Sequence, residues 1–376
     1  MAFISLGKID KNLIPLIIGC IICFLDRLLK QYDEALLFKN TILTNLFISF
    51  SRLFALIPYL ILKKRSEKIK VNEIEKTNNF VIEYIYTNIG ENIKDKYKYI
   101  LLSALVYFIQ AILFIFTFKI QSNTWSLYIL TTPIFYYLIL KIKLYRHHYL
   151  CIVLILLIGL IIDISLENIQ NDLTNNLLLF FITLIREILF SFHNVFVKYI
   201  MEKKFVSVYE YTFYNGLIHF SLTGIFALLD YLFFKLYNYE DYFNNFNITE
   251  LLVLVGILIT QFILNLSLLF TIKNNTPCHA FILYVFGRFA YYINSSKYYK
   301  LVIIVVIIGL LFMLLFSLIF NEIIEINLWG LSYNTRKNIA IRAEREGLSV
   351  EENEIEDENN ETEKSVIQLN KDEIYI

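Results

Sequence analysis

The sequence predicts an all-α polytopic membrane protein, with ten transmembrane helices in two inverted five-helix repeats. Only 18% of its residues are charged and 57% are hydrophobic, where a soluble domain carries about 25% charged residues. Apolar runs near the ~18–20 residues that cross a bilayer recur along the chain. Two stretches, one in each half, also share the same order of Thr-Pro, Tyr and Gly, with equal spacing from Tyr to Gly.

Leu13–Leu29 is the first candidate helix, interrupted by Asp26 and Arg27. It lacks a small-residue cleavage site after its apolar core, so it reads as retained. Cys20 and Cys23 lie inside it. Without a βαβ context they read as buried apolar thiols, as do Cys151 and Cys278. The second helix, Thr41–Leu62, sets Thr41, Asn45, Ser49 and Arg52 on one face. A charged loop, Arg65–Lys98, follows, with a short helix around Phe80–Tyr86. The third helix, Tyr99–Phe118, aligns Ser103, Tyr107, Gln110 and Thr117. The fourth is Trp125–Leu140. The fifth, Tyr149–Leu166, is almost wholly apolar around its circumference.

The sixth helix, Leu177–Ile200, is the centre of the argument. It is long enough to span a bilayer, yet it carries Arg186, Glu187, Ser191, His193, Asn194 and Lys198. Glu187, Ser191, Asn194 and Lys198 fall at i, i+4, i+7 and i+11, one face of a helix. Charges in a membrane face protein or a wet cavity, and they often mark a pathway. The seventh helix, Tyr209–Phe234, aligns Thr212, Asn215, His219 and Thr223. The eighth, Thr249–Ile272, sets Gln261 one turn from Asn265. The ninth, Pro277–Ile293, stacks Tyr284, Arg288 and Tyr292. The tenth, Leu301–Phe320, is apolar all round like the fifth. Those two should face lipid or a partner protomer, while the striped helices enclose a central cavity.

With a cytosolic N-terminus, about 24 Lys and Arg lie inside and about seven outside. Ten helices then put both termini in the cytosol. The compartment is not readable, with an endomembrane such as Golgi or ER favoured over the plasma membrane. The tail after Asn321 begins amphipathic, with a basic stretch Arg336–Arg345 suited to an anionic leaflet. From about residue 350 it is acidic, polar and expected to be disordered. The organisation is thus 1–166 for the first repeat, with the loop at 65–98, then 167–320 for the second and 321–376 for the tail.

The repeat rests on register. Thr132-Pro133 is followed by Tyr149 and Gly159, and Thr276-Pro277 by Tyr299 and Gly309, with equal Tyr-to-Gly spacing. Five helices per half is odd, so the second half must be inserted upside down, the plan of many secondary transporters. Several further stretches carry a likeness to a known family. They are Ser126-Leu127-Tyr128-Ile129-Leu130-Thr131-Thr132-Pro133, the hairpin Lys141–His148 running into Leu154–Gly159, and Asn194-Val195-Phe196-Val197-Lys198. Ser207-Val208-Tyr209-Glu210, Tyr214-Asn215-Gly216 and Thr276-Pro277 complete them. Over about Ile14–Phe320 the chain resembles the drug/metabolite transporter superfamily (EamA-like), nearest the solute-carrier branch that includes nucleotide-sugar transporters. The Gly-Ala-Leu-Asn-Lys motif of GDP-mannose carriers is absent. The resemblance implies a ten-helix, two-repeat carrier working by alternating access, with the fifth and tenth helices apart from the cavity.

The intramembrane charges lean positive, and an Arg fork binds phosphate or carboxylate bidentately. The expected substrate is therefore a small organic anion, such as a nucleotide sugar or phosphorylated metabolite. Arg52 and Arg288 are expected as anion clamps from opposite halves, and Arg186–Glu187 as a pair that breaks and reforms. Tyr107, Tyr214 and Tyr284 would stack a base or sugar. Asn45, Gln110, Asn194, Lys198, Asn215, His219, Gln261 and Asn265 complete the expected substrate-binding set. Competing readings are a non-transporting receptor or complex subunit of the same fold, or a carrier of amino acids or nucleobases. No His-x-x-x-His pair, acidic metal cluster or nucleophile with a matched base is visible, so no enzyme activity, metal or cofactor is expected. The expected partners are a small-molecule substrate, the lipid bilayer and a second copy docked through the fifth and tenth helices. Lys-rich loops follow from topology, so nucleic acid is not among them.

Overall fold

A computed structural model describes residues 4–6, 11–32, 41–64, 79–117, 127–142, 144–167, 177–234, 248–293, 300–326, 335 and 338. The chain separates into Leu6–Ile324 and a smaller unit, Met1–Ser5 with Glu325–Ile376. A two-stranded sheet is formed by β1 (Ile4–Leu6) and β2 (Ile324–Ile326). Everything else that is regular among the described residues is helical. The expected disorder from residue 350 lies outside the described residues, as does Trp125 at the expected start of the fourth helix.

Among the described residues the principal helices are α1 (Ile14–Tyr32), α2 (Thr41–Leu53), α3 (Asn79–Thr117), α4 (Tyr128–Leu140), α5 (Arg146–Glu167), α6 (Leu177–Lys203), α7 (Val208–Leu229), α8 (Ile248–Asn274), α9 (Ala280–Ile293) and α10 (Lys300–Phe320). Five stretches among the described residues are long and apolar enough to cross a membrane: Ile42–Lys64, Asp95–Ile115, Val208–Phe233, Leu251–Asn274 and Val302–Phe320. Large apolar side chains such as Ile17, Ile57, Leu138, Leu157, Leu252 and Ile304 are exposed on the outside. Such an apolar surface is stable against lipid and not against water. The chain is a multi-pass integral membrane protein.

Three elements depart from the sequence expectation. α1 runs straight through Asp26, which is buried and accepts a hydrogen bond from Thr260 Oγ1 at 3.1 Å. A carboxylate with such a partner need not end a helix. The expected loop at 65–98 is helical from Asn79 on, because its straight-chain Lys and Glu residues favour helix and no proline interrupts it. α2 breaks at 54–55 and resumes over 56–64. Pro58 explains the break: it has no N–H for the Phe54 carbonyl four residues back, and its ring crowds that carbonyl. Three-residue bonds replace the lost ladder, Ala55 N–H to Arg52 O at 3.1 Å and Ile57 N–H to Phe54 O at 3.4 Å.

Packing partners are selective. α1 lies against α8 and α9, and α6 against α3 and α4. α2 packs on α7 and also meets α8, while α7 also meets α3. α5 and α10 pack on each other. A Cβ at Gly309 would stand 2.8 Å from Ile162 Cδ1, so glycine permits that close approach. The two apolar helices therefore bury one face mutually and keep Val153, Leu160, Leu311 and Phe312 outward. A cavity of about 600 Å³ between α1, α9 and α10 is lined only by apolar side chains, among them Leu16, Cys20, Phe286 and Leu314. It offers no polar recognition. The polar side chains gather elsewhere.

Candidate functional site

α6 supplies polar groups to two neighbouring clusters. The first is a seam with α4 and α9, in which Tyr284 Oη and Thr132 Oγ1 are buried without hydrogen-bond partners among the described residues. Asn194 Nδ2 donates to Tyr128 Oη at 3.0 Å, and Tyr128 Oη donates to the Pro277 carbonyl at 2.9 Å. Thr131 and Ser191 hydroxyls meet at 2.5 Å. Tyr128 stacks near Phe281, with ring centroids 6.3 Å apart, and meets Tyr284 edge-on at 5.5 Å. Pro277 lies in the 3-10 turn Pro277–His279 that leads into α9, capped by Thr276 and His279 in a reciprocal box.

The second cluster lies between α2, α3 and α7, with His193 reaching in from α6. Arg52 is 7% exposed. Its Nη1 donates to Asn215 Oδ1 at 3.1 Å, and its guanidinium carbon stands 4.3 Å over the Tyr107 ring. Asn215 Nδ2 donates to Tyr211 Oη at 3.1 Å. Tyr211 Oη also meets Ser103 Oγ at 2.7 Å and His193 Nε2 at 3.2 Å. The Tyr107 ring is 4.7 Å from that of His219 and 5.2 Å from that of His193. His219 Nδ1 meets Ser49 Oγ at 2.8 Å. Gly216 lets α2 and α7 approach here, since a Cβ would fall 2.6 Å from Arg52 Cβ.

This second cluster is chemically incomplete. Arg52 has no acidic partner among the described residues, and its Nε is buried without a hydrogen bond there. Asn45 Nδ2, Gln110 Oε1, His219 Nε2, Thr223 Oγ1 and Asn265 Nδ2 are likewise buried without protein partners among the described residues. They sit on α2, α3, α7 and α8. An unsatisfied buried polar atom costs about 1–3 kcal/mol, so such a group calls for water or a polar ligand. A guanidinium, two imidazoles and amide groups meet there, with no carboxylate bonded to them among the described residues.

The expected site residues divide between these places. Asn45, Arg52, Tyr107, Gln110, Asn215, His219 and Asn265 carry the incomplete cluster. Asn194 and Tyr284 belong to the seam, and Arg288 lies half-buried one turn beyond Tyr284. Gln261 is half-buried on α8, one turn from Asn265. Arg186 Nη2 pairs with its neighbour Glu187 Oε1 at 2.6 Å and lies over the Phe114 ring at 5.5 Å. Lys198 is engaged in structure: Nζ donates to the Lys273 and Asn275 carbonyls at 2.6 and 2.8 Å and pairs with Glu202. Tyr214 packs among Tyr59, Tyr97 and Phe213, beside the Lys96–Glu210 ion pair of 2.7 Å.

Tyr211, Ser103 and Tyr128 were missed as site residues, and the helical period could have found the first. Tyr211, Asn215 and His219 fall at i, i+4 and i+8 on α7, whereas Tyr214 points about 100° away from Asn215. Tyr128 carries no such signal, because its carbonyl partner is set by the distant turn at Pro277. The chain matches no protein-family model and no curated protein sequence.

Proposed function

We propose that the chain is a secondary-active carrier of a small organic anion, such as a nucleotide sugar or another phosphorylated metabolite. It would work by alternating access, with ten spans arranged as two inverted five-helix repeats. The observation that carries this reading is Arg52: buried, without a carboxylate among the described residues, held face-on by Tyr107, with Nε turned to no protein acceptor there. A bare guanidinium in a membrane is strongly disfavoured unless an anion or water meets it. In the seam around Tyr128, by contrast, the unpartnered atoms are neutral hydroxyls and no buried cation is present among them.

The packing pattern supports the repeat. Advancing each helix by five turns α1 against α8 and α9 into α6 against α3 and α4. The same shift exchanges α3–α7 with α8–α2 and returns α2–α7 and α5–α10 to themselves. A two-fold relation between halves has this property. The incomplete cluster then lies beside α2–α7, where the halves meet, as carrier sites do. Arg52 would hold the anionic group bidentately, with His219 Nε2 and the Asn45 and Asn265 amides fixing its orientation. Tyr107 would keep the guanidinium plane in place. Rocking of the halves about α2–α7 would open the cluster to alternate sides.

The test is uptake by the purified chain in proteoliposomes, screened over nucleotide sugars, sugar phosphates, amino acids and nucleobases. Uptake of an anion that Arg52→Ala lowers at least tenfold is expected. Uptake confined to nucleobases or amino acids would remove the phosphorylated-anion reading. No uptake of any class would favour a receptor or complex subunit.

A further inference from the structure

The fold brings together three metal-ligating side chains that the anion site does not use: His147, His148 and Glu322. We propose that they form a binding site for a divalent transition-metal ion of the zinc type at the α5–α10 end of the protein. The ligating atoms of the three residues all lie within 4.8 Å of one another. Ligands on one zinc ion stand about 2.0–2.2 Å from the metal, and so about 3.4 Å from each other in a tetrahedron, which the widest pair reaches by closing about 1.4 Å through side-chain rotation.

Several features of the site point to a cation. His147 is 3% exposed, and neither ring nitrogen makes a hydrogen bond among the described residues. Its Nε2 nevertheless faces Glu322 Oε1 at 3.3 Å. The His148 ring packs against that of His147 with centroids 4.0 Å apart. The side chain of Glu322 is only 13% exposed. Its backbone is left-handed, with φ of 58°, where glycine is the usual occupant. The position is a helix C-cap: Glu322 N–H reaches Ile319 O at 3.0 Å and Ile323 N–H reaches Leu318 O at 2.9 Å. A carboxylate there also sits at the negative end of its own helix. The amino end of α5 offers it some positive potential and two imidazoles. Two imidazoles and one carboxylate are a donor set that suits zinc, cobalt or nickel over magnesium or calcium.

Ligation by His148 requires an exchange. Its Nδ1 accepts the Tyr145 N–H at 2.9 Å, which places the neutral ring's proton on Nε2. Either nitrogen can bind metal only by releasing that bond, so the turn before α5 changes its hydrogen bonding when the site fills. Water would complete the coordination. The site lies apart from the Arg52 cluster and does not depend on the transport reading.

The experiment is zinc binding to the full-length protein in detergent, by equilibrium dialysis after chelator treatment, together with thermal unfolding with and without zinc. One zinc per chain at micromolar or lower free zinc is expected, and zinc should raise the unfolding temperature. His147→Ala and Glu322→Gln should each weaken binding at least tenfold. Glu322→Gly relieves the left-handed strain, so it should fold at least as well without zinc and lose the zinc-dependent rise. Absence of stoichiometric zinc in the parent chain overturns the proposal. So does a zinc-dependent rise that survives in Glu322→Gly, which would place the metal elsewhere. A parent chain that binds no zinc but loses stability in Glu322→Gly would mark a plain His147–Glu322 ion pair.

Discussion

The seam of α4, α6 and α9 and the cluster of α2, α3 and α7 are built from the same materials. Each holds a buried tyrosine hydroxyl and an asparagine amide. They differ in charge. In the seam, Tyr128 Oη both accepts and donates, its bonds end on a carbonyl, and the atoms left without partners, Tyr284 Oη and Thr132 Oγ1, are neutral. In the cluster, the chain of bonds from Ser103 through Tyr211 and Asn215 ends on Arg52, whose charge has no counter-charge among the described residues. A polar stripe in a membrane helix therefore does not by itself mark a site. What separates the two places is a buried guanidinium with an unpartnered nitrogen.

Mutations can break this contrast. The largest effect is expected from Arg52→Ala. Charge-assisted hydrogen bonds contribute about 1.5–3 kcal/mol, so uptake of the transported anion should fall about 10- to 100-fold, with a smaller loss of stability because Asn215 Oδ1 and the Tyr107 ring lose their partner. A loss of stability with uptake per folded protein unchanged would mean that Arg52 is structural only. Tyr128→Phe should do the reverse. It strands the Pro277 carbonyl and the Asn194 amide and destabilises the chain by about 1–3 kcal/mol, read by thermal unfolding in detergent, while apparent affinity stays near that of the parent. Gly216→Ala sharpens the comparison, because its new Cβ would strike Arg52 Cβ, not a flexible side-chain end. α2 and α7 must part, at about 1–3 kcal/mol, and uptake should fall further than stability alone explains. Gly309→Ala is the control. Its Cβ meets both Cδ1 and Cγ1 of Ile162, at 2.8 and 2.9 Å, so α5 and α10 must part at about 1–3 kcal/mol, while uptake per folded protein should not change.

Much of this architecture was legible in the sequence because apolar length and helical period are local properties. Thr41–Leu62 and Leu301–Phe320 stand within a few residues of their observed limits. The stripe of Asn45, Ser49 and Arg52 on α2 does face the Asn215–His219 stripe of α7. Closure was not legible, since it depends on which helices meet. Lys198 reads as a binding residue until the carbonyls of Lys273 and Asn275 come within reach of it. Asn194 and Asn215 look alike until Tyr128 satisfies one and Arg52 the other. The metal-ligating trio was hidden for the same reason: His147 and His148 are 174 residues or more from Glu322 in the chain, and no local spacing joins them. Pro58 was readable, and its effect on the Phe54 carbonyl follows from residue type alone.

That proline has a consequence for motion. It makes α2 two short rods joined at 54–55, each with its own anchor on α7: Arg52 at Asn215, and Tyr59 against Phe213 and Tyr214. The joint has the thinnest backbone bonding in the helix and sits just two residues past the guanidinium. Tilting of the second rod about this joint would leave the Arg52–Asn215 contact of the first in place.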